Sequence, residues 1–287
     1  MALKQIAVVI ASVAVAFVVL ATSAQAQTNR DGDRVAGQIT FGFDGQNYSS
    51  GRTASVASMD ATIRLLPRLT LDAIATGGSY FGERFGGGGS YFTLKPDRKT
   101  YLTAGGSLNS NTNTTSTWSG SFEIGRTLYQ SERDALPANH SIRRAGLIRA
   151  LETNLSLTDR GYNFSPAVNV LLVSPAATIY FPGDWTLTLR AGAIRETIGS
   201  ASTWTPSGGA KLNIPLTRRL SVMPGVAFDS ELSNVLQINN VSSREFGGGA
   251  RYWVTRSTSA SAYYFRVLYG ANHLASDSYG VNYVVRF

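Results

Sequence analysis

Catalytic chemistry in this 287-residue chain would depend on its two histidines, His140 and His273, because the sequence has no cysteine. A hydrolase built on strands needs a serine two residues from a histidine, so that nucleophile and base share one face. Ser141 follows His140 directly, which would put the two side chains on opposite faces of a strand. Ser276 lies three residues after His273, with no glutamate downstream. We therefore expect no catalytic triad and interpret His273 as a loop residue.

Other reactive patterns are equally weak. The glycine clusters at residues 86–89 and 247–249 lack the Lys-Ser/Thr and the following helix of a phosphate-binding loop. Two separated histidines do not make a metal site. We interpret Asp229 and Asp277 as solvated loop acids. The sequence thus predicts no cofactor, no metal and no enzymatic activity.

Many segments of the sequence alternate apolar and polar side chains. Charged residues recur at the polar positions of these segments. In a membrane-spanning barrel the apolar parity faces lipid, where a charge near the midplane costs about 2–4 kcal/mol. The polar parity would then line the interior. This assigns the following residues to the lumen: Asp60, Arg64, Asp72, Glu123, Glu152, Arg190, Lys211, Arg251, Arg266 and Arg286.

The last nine residues form a segment that could position such a set. Its apolar parity consists of Tyr279, Val281, Tyr283, Val285 and Phe287. A strand with one apolar face and a terminal aromatic suits a closed barrel, whose last strand must pair with its first. We therefore predict that this strand closes a barrel beside the first strand, residues 35–44.

The rest of the chain repeats the same alternation as hairpins. Segments starting at residues 88, 208 and 248 each enter a strand through a glycine pair and end in a turn with arginine. This pattern predicts an all-β, antiparallel, up-and-down transmembrane β-barrel. Counting the segments gives about 14 strands, with 12 as the alternative.

The predicted connections differ between the two ends of the barrel. Those at residues 46–52, 77–84, 109–117 and 230–243 are long and polar, whereas the others are short, and both termini fall on the side of the short turns. Residues 130–144 are too long for a short turn and could hold a helix. The apolar parity of residues 168–181 changes around Ser174 and Pro175, which predicts a β-bulge there.

The first 26 residues have the features of a secretory signal peptide. Lys4 precedes an apolar run over residues 6–21, and Ala24-Gln25-Ala26 matches a cleavage site. We therefore expect residues 27–287 to form one exported barrel domain in the bacterial outer membrane. The formal net charge of +8 favours anionic lipid head groups, including lipopolysaccharide, as partners, and export argues against nucleic acid.

The four tryptophans all fall near predicted strand ends. An indole ring at that position suits the interface between hydrocarbon and head groups. We therefore predict an interfacial aromatic girdle made of Trp118, Trp185, Trp204 and Trp253.

Three stretches resemble the YaiO-like outer-membrane barrels. They are Glu-Arg-Phe-Gly at residues 83–86, Tyr-Phe-Pro-Gly-Asp-Trp at residues 180–185, and the closing strands from residue 244 to residue 287. A Gly-Arg-Glu step associated with the group is replaced by Phe-Asp-Ser-Glu at residues 228–231. The resemblance implies an outer-membrane barrel with a link to surface polysaccharide. The terminal Phe287 and its alternating apolar residues also resemble the sorting signal read by the barrel-assembly machinery.

Three functions remain open from the sequence. The first is a passive pore for small solutes or saccharides, because a barrel of about 14 strands leaves an opening unless loops fill it. The second is a non-conducting barrel with a structural or assembly role. The third and most distant is a lipid-modifying enzyme. The mixed signs of the lumen charges indicate no ion preference.

Overall fold

A computed structural model describes residues 37–110, 115–131, 148–228, 243–269 and 275–287. These residues form fourteen strands, namely β1 (Gly37–Tyr48), β2 (Thr53–Leu66), β3 (Leu69–Tyr80), β4 (Glu83–Leu94), β5 (Thr100–Asn109), β6 (Trp118–Gln130), β7 (Ala150–Tyr162), β8 (Val168–Tyr180), β9 (Thr186–Ile198), β10 (Ala201–Pro215), β11 (Leu220–Phe228), β12 (Ser243–Trp253), β13 (Thr258–Tyr269) and β14 (Ala275–Arg286). Each strand pairs antiparallel with its sequence neighbours, and β1 pairs with β14. The predicted closed antiparallel barrel is confirmed, with fourteen strands rather than twelve.

The alternation in the sequence decides which face each side chain takes. On β1, Phe41 and Phe43 are 48% and 47% exposed and define the outer face. Between and beside them, Thr40, Gly42 and Asp44 belong to the opposite parity and define the inner face. Directly paired residues on neighbouring strands share a face, so the register carries this assignment around the whole barrel.

The last strand closes the barrel as predicted. Its register with β1 runs from Gln38 opposite Arg286 to Tyr48 opposite Ser276. Beyond it, Gly37 and Phe287 each donate their N–H to the other's carbonyl at 3.0 Å. A Cβ on Gly37 would lie 2.6 Å from the Thr62 carbonyl oxygen and 2.9 Å from the Phe287 ring, so the close packing at this seam favours glycine.

We call the end where β1 begins and β14 ends the terminal end, and the opposite end the far end. One far-end connection is much tighter than the long loop expected over residues 77–84. The strands β3 and β4 stay paired up to Tyr80 and Glu83, leaving only Phe81 and Gly82 as the turn. Their φ angles of 53° and 87° are those of a type I′ turn, which follows the twist of a hairpin.

Three terminal-end turns share one hydrogen-bonding pattern, in which a side chain accepts two backbone N–H groups. In each turn an arginine directly follows the accepting residue. The Thr217 hydroxyl accepts the N–H groups of Arg219 and Leu220, and the Thr255 hydroxyl accepts those of Ser257 and Thr258. Such side-chain bonds to the following backbone fix a short turn.

The third of these turns uses an aspartate in place of the threonine. Asp97 accepts the N–H groups of Lys99 and Thr100, both at 2.7 Å. The bond from Lys99, followed by those from Thr100 and the charge of Arg126, lowers the pKa of Asp97 below its ordinary value.

The expected bulge at Ser174 and Pro175 is wrong. The register of β7 with β8 runs without a shift from Ala150 opposite Tyr180 to Tyr162 opposite Val168. Shifts occur instead after Arg64 on β2 and after Thr127 on β6. The change of apolar parity in β8 arises because apolar side chains there line the inner face.

Several expectations fall outside the described residues. These are the signal peptide at residues 1–26, most of the 130–144 segment, His140, His273 and Asp229. Among the residues that the structure describes, no helix has the length and apolar character needed to cross a membrane.

Candidate functional site: the barrel interior

The inner face carries all but one of the charged residues expected there. The structure places Asp60, Arg64, Asp72, Glu123, Glu152, Arg190, Lys211, Arg251 and Arg286 on it. Arg64, Glu152, Arg251 and Arg286 lie within the last three strand residues at the terminal end, and the others lie further along their strands.

Arg266 is the exception and faces outward. It pairs with Phe246 and Asp277 on the outer face, with 3.4 Å between its Nη1 and the Asp277 Oδ1. Assigning Arg266 to the lumen required Tyr263, Phe265 and Val267, which have the opposite parity on β13, to face outward. They line the interior instead, where the Tyr263 hydroxyl donates to Asp44. Asp277 is accordingly a strand residue rather than a loop acid.

The acids cluster on one side of the interior. Asp60 and Asp72 lie on the adjacent strands β2 and β3, and the Thr62 hydroxyl donates to Asp72. Glu123 and Glu152 follow on β6 and β7. We call this set of four residues the acidic wall.

Tyrosines hold the two glutamates of the acidic wall in place. Glu123 accepts the Tyr101 hydroxyl and, at 3.1 Å, the Asn154 amide. Glu152 accepts the Tyr180 hydroxyl at 2.9 Å. These hydrogen bonds hold both carboxylates in position in the interior.

Four of the inner cations occupy the opposite side, whereas Arg64 lies on β2 beside the acidic wall. Arg190, Lys211, Arg251 and Arg286 lie on β9, β10, β12 and β14, and we call them the basic wall. None of the four forms an ion pair with another described residue. The Nε atom of Arg251 is buried and has no hydrogen-bond partner in the part of the chain that the structure describes.

The topology sets the two walls against each other. In a closed barrel of fourteen strands, β2 lies across from β9, β3 from β10 and β7 from β14. Asp60 therefore faces Arg190 and Asp72 faces Lys211, each near the middle of the barrel once strand tilt is allowed for. Glu152 faces Arg286 in the same way, nearer the terminal end.

Side chains cannot neutralise each other across this width. Strands about 4.8 Å apart and tilted by about 40° give a backbone cylinder about 28 Å across. Opposite charges that each reach about 5 Å inward remain about 18 Å apart, far beyond ion-pair distance. The two walls can thus place a transverse electric field across the interior.

The separation of charge is confined to this part of the barrel. Glu196 and Glu245 on the basic side, and Arg160 on the acidic side, lie nearer the far end. Arg160, Arg190, Lys211 and Glu245 border a cavity of about 510 Å³ in the interior. The middle of the barrel is therefore sorted by charge, whereas the far end is mixed and Arg64 adds a cation to the acidic side near the terminal end.

An apolar cluster also lines the interior near the far end. Val168, Val170 and Ile194 are buried, the last two at 1% and 2% exposure. The stacked rings of Tyr162 and Phe164, with centroids 5.6 Å apart, pack against them. This cluster stiffens one side of the far end and narrows it.

Sequence reasoning missed several inner residues. Asp44, Tyr101, Asn154, Tyr180 and Tyr263 all have the inward parity and take part in the hydrogen bonds above. The available signal was the pairing of large and small residues, since the Tyr101 ring covers Gly125 and the Tyr263 ring covers Gly280. Only the strand register brings these partners together.

The tryptophans divide between the two faces. Trp118 and Trp204 lie on the outer face near the far end, and Trp185 lies exposed in the terminal-end turn before β9. Trp253 departs from the predicted girdle, because it lies on the inner face opposite Ser259 and beneath Arg286. Because Trp253 is the last residue of β12, the sequence pattern did not indicate which face its side chain takes.

Metal chemistry finds no support in the described residues. No group of three or more His, Cys, Asp or Glu side chains there is arranged to hold a metal ion.

Solved outer-membrane barrels share this fold. The chain aligns with a Pseudomonas aeruginosa FadL homologue at a TM-score of 0.50 and 9% identity, over 88% of this chain and 90% of that one. It aligns with the Pseudomonas putida toluene transporter TodX at 0.50 and 8% identity, over 88% and 89%. The Acinetobacter baumannii outer membrane protein Omp33 gives 0.49 and 13% identity, over 88% and 100%.

At such low identity the likeness concerns the fold alone. No family model and no curated sequence matches the chain. The chain has the fold of the bacterial outer-membrane β-barrels.

Proposed function

We propose that the protein is a passive, water-filled pore of the bacterial outer membrane for small solutes or saccharides. The observation that carries this proposal is the sorting of inner charges into an acidic and a basic wall on opposite sides of the barrel. Buried charges that served only to tie the barrel shut would lie within ion-pair distance of each other. Here they face across a gap that requires water to solvate them.

The width supports passage of small solutes. A backbone cylinder about 28 Å across leaves an opening of about 16 Å once side chains of about 6 Å line both walls. Polar side chains, including the tyrosine hydroxyls of the acidic wall, suit hydrated sugars. The resemblance to YaiO-like barrels supports a link to surface polysaccharide.

A non-conducting barrel is the second candidate, and the apolar cluster favours it. Val168, Val170 and Ile194 with their two aromatic neighbours occupy part of the far end that a wide pore would leave polar. In that case the protein would serve surface assembly or anchoring, with outer-membrane lipids and the barrel-assembly machinery as its contacts. The exposed alternation of Tyr279, Val281 and Tyr283 supports recognition by that machinery.

Liposome swelling tests the two candidates. Liposomes containing the folded barrel should swell in isosmotic arabinose and glucose, more slowly in sucrose, and not in a large dextran. A folded protein that permits no swelling with any sugar supports the non-conducting barrel and contradicts the pore. Folding is checked by the shift in gel mobility on boiling.

A further inference from the structure

Trp253 and Arg286 form a fixed pair at the terminal-end opening. The guanidinium carbon of Arg286 lies 4.2 Å from the centre of the Trp253 ring, which is a cation–π contact. The backbone N–H of Arg286 donates to Ser257 at 2.8 Å, so the strand end that carries the arginine is held. Stacking on indole covers one flat face of the guanidinium and leaves its N–H edges available.

Three further arginines surround the same space. Arg218 and Arg219 come from the β10–β11 turn and Arg256 from the β12–β13 turn, and together with Thr255 and the Trp253–Arg286 pair they border a cavity of about 400 Å³. We call this the arginine pocket. No carboxylate borders it, and none of its four arginines pairs with an acid among the described residues.

The turns that carry these arginines are built to hold them. The Thr217 and Thr255 hydroxyls each accept two backbone N–H groups of the residues that follow. These bonds fix the backbone positions from which the arginine side chains extend. Four like charges around one cavity repel each other, and a bound anion removes that repulsion.

We propose that the arginine pocket binds a phosphate- or carboxylate-bearing group at the terminal-end opening. Guanidinium groups bind such anions through paired N–H donors, and several of them converge here. The ligand is either a soluble anion on its way through the pore or the head group of an anionic phospholipid in the leaflet at that end. This inference goes beyond the proposed function, because neutral sugars would need no such site.

The chain offers a matched control for the pocket. Arg98 follows Asp97 in the β4–β5 turn as Arg218 follows Thr217 and Arg256 follows Thr255. It lies at the same end and in the same kind of turn, but it does not border the pocket. The variant Arg98→Gln therefore removes one arginine charge from the same kind of turn at the same end without touching the site.

The test is a titration of the full folded barrel with inorganic phosphate at low ionic strength, read by tryptophan fluorescence. Trp253→Phe serves as the optical blank. We expect saturable binding that the double variant Arg218→Gln/Arg256→Gln weakens by at least about tenfold, as expected for lost charged hydrogen bonds. Arg98→Gln should retain the wild-type affinity within about twofold.

Two outcomes would overturn the inference. One is the absence of saturation in the wild type, and the other is an equal loss of binding in Arg98→Gln, which would make the effect a general property of a basic end. Either variant is used only if it shows the normal shift in gel mobility on boiling.

Added phosphatidylglycerol separates the two sources of the ligand. If it abolishes the phosphate response, and native mass spectrometry shows one retained lipid that is lost in the double variant, the ligand is a lipid head group. If the phosphate response persists, the ligand is a soluble anion. Phosphate binding does not depend on conduction. A barrel that binds phosphate but carries no current would therefore support the arginine pocket and contradict the proposed pore.

Discussion

If the two charged walls line the proposed pore, substitutions on each wall should shift its ion selectivity in opposite directions. The variant Arg190→Gln/Lys211→Gln removes two cations of the basic wall, and Asp60→Asn removes one acid from across the barrel. The first change should shift the pore toward cations and the second toward anions. None of these three residues forms an ion pair with another described residue.

The barrel dimensions give the size of the effect. One unit charge about 9 Å from the pore axis acts on an ion there with about 0.5 kcal/mol in water. Screening at 0.1 M salt, with a Debye length of about 10 Å, reduces this to about 0.2 kcal/mol. Two charges then change the local concentration of each ion about twofold, so the permeability ratio should move about two- to fourfold. The single acid should move it by about half as much on the free-energy scale.

The assay is the reversal potential of the reconstituted barrel across a tenfold potassium chloride gradient. The two variants must shift the potential in opposite directions, and both shifts must shrink in concentrated salt. Shifts of the same sign, or no shift in a conducting barrel, would refute the placement of these residues on opposite walls of the pore.

Three further changes test local parts of the structure, each by the temperature at which the gel shift of the folded form is lost. Gly125→Val should lower it, because the side chain would displace the tyrosine ring that covers this glycine, whereas Gly120→Val, where a Cβ meets nothing within 4 Å, should leave it nearly unchanged. Val170→Ala should cost about 1–2 kcal/mol by opening the inner apolar cluster, while Val226→Ala on the exposed outer face should cost little. Asp97→Asn should remove a stabilising contribution that is present above the unfolded pKa of about 3.9 and is lost as the pH falls through the lower folded pKa. The variant and the wild type should therefore converge at low pH, and a difference that persists there would contradict this account of the turn.

The sequence was sufficient for the architecture because alternation with period two is a direct consequence of strand geometry. The closing strand illustrates this, since the exposed parity of Tyr279, Val281 and Tyr283 is the one that the pattern predicts. The connections between strands were harder to predict. The strand pairing that continues to Tyr80 and Glu83 depends on a two-residue turn that was concealed by polar residues on both sides.

Errors of parity arose where an apolar side chain faces the interior. On β8 the residues Val168 and Val170 point inward, and this produced the false bulge. On β13 the inward Tyr263 and Phe265 were taken as lipid-facing, and Arg266 was therefore wrongly assigned to the lumen. Trp253 was likewise assigned to the outer girdle, although its ring lies inside the opening and stacks against Arg286. A rule that sends apolar residues outward cannot identify interior aromatic or aliphatic clusters.

The sorting of charge could not be read from the chain. Asp60 and Arg190 are far apart in sequence, and only the closed order of fourteen strands puts β2 across from β9. Mixed signs along the sequence therefore become separate walls in the folded barrel. The strand count and the closure decide this, and both require the whole sheet.

The proposed pore requires an open, water-filled passage between these walls. It is tested most directly by the conductance of the purified, folded barrel in a planar lipid bilayer. The account predicts discrete, reproducible steps of current that are absent without protein. A barrel that shows the gel shift of the folded form but inserts without any current step would contradict it.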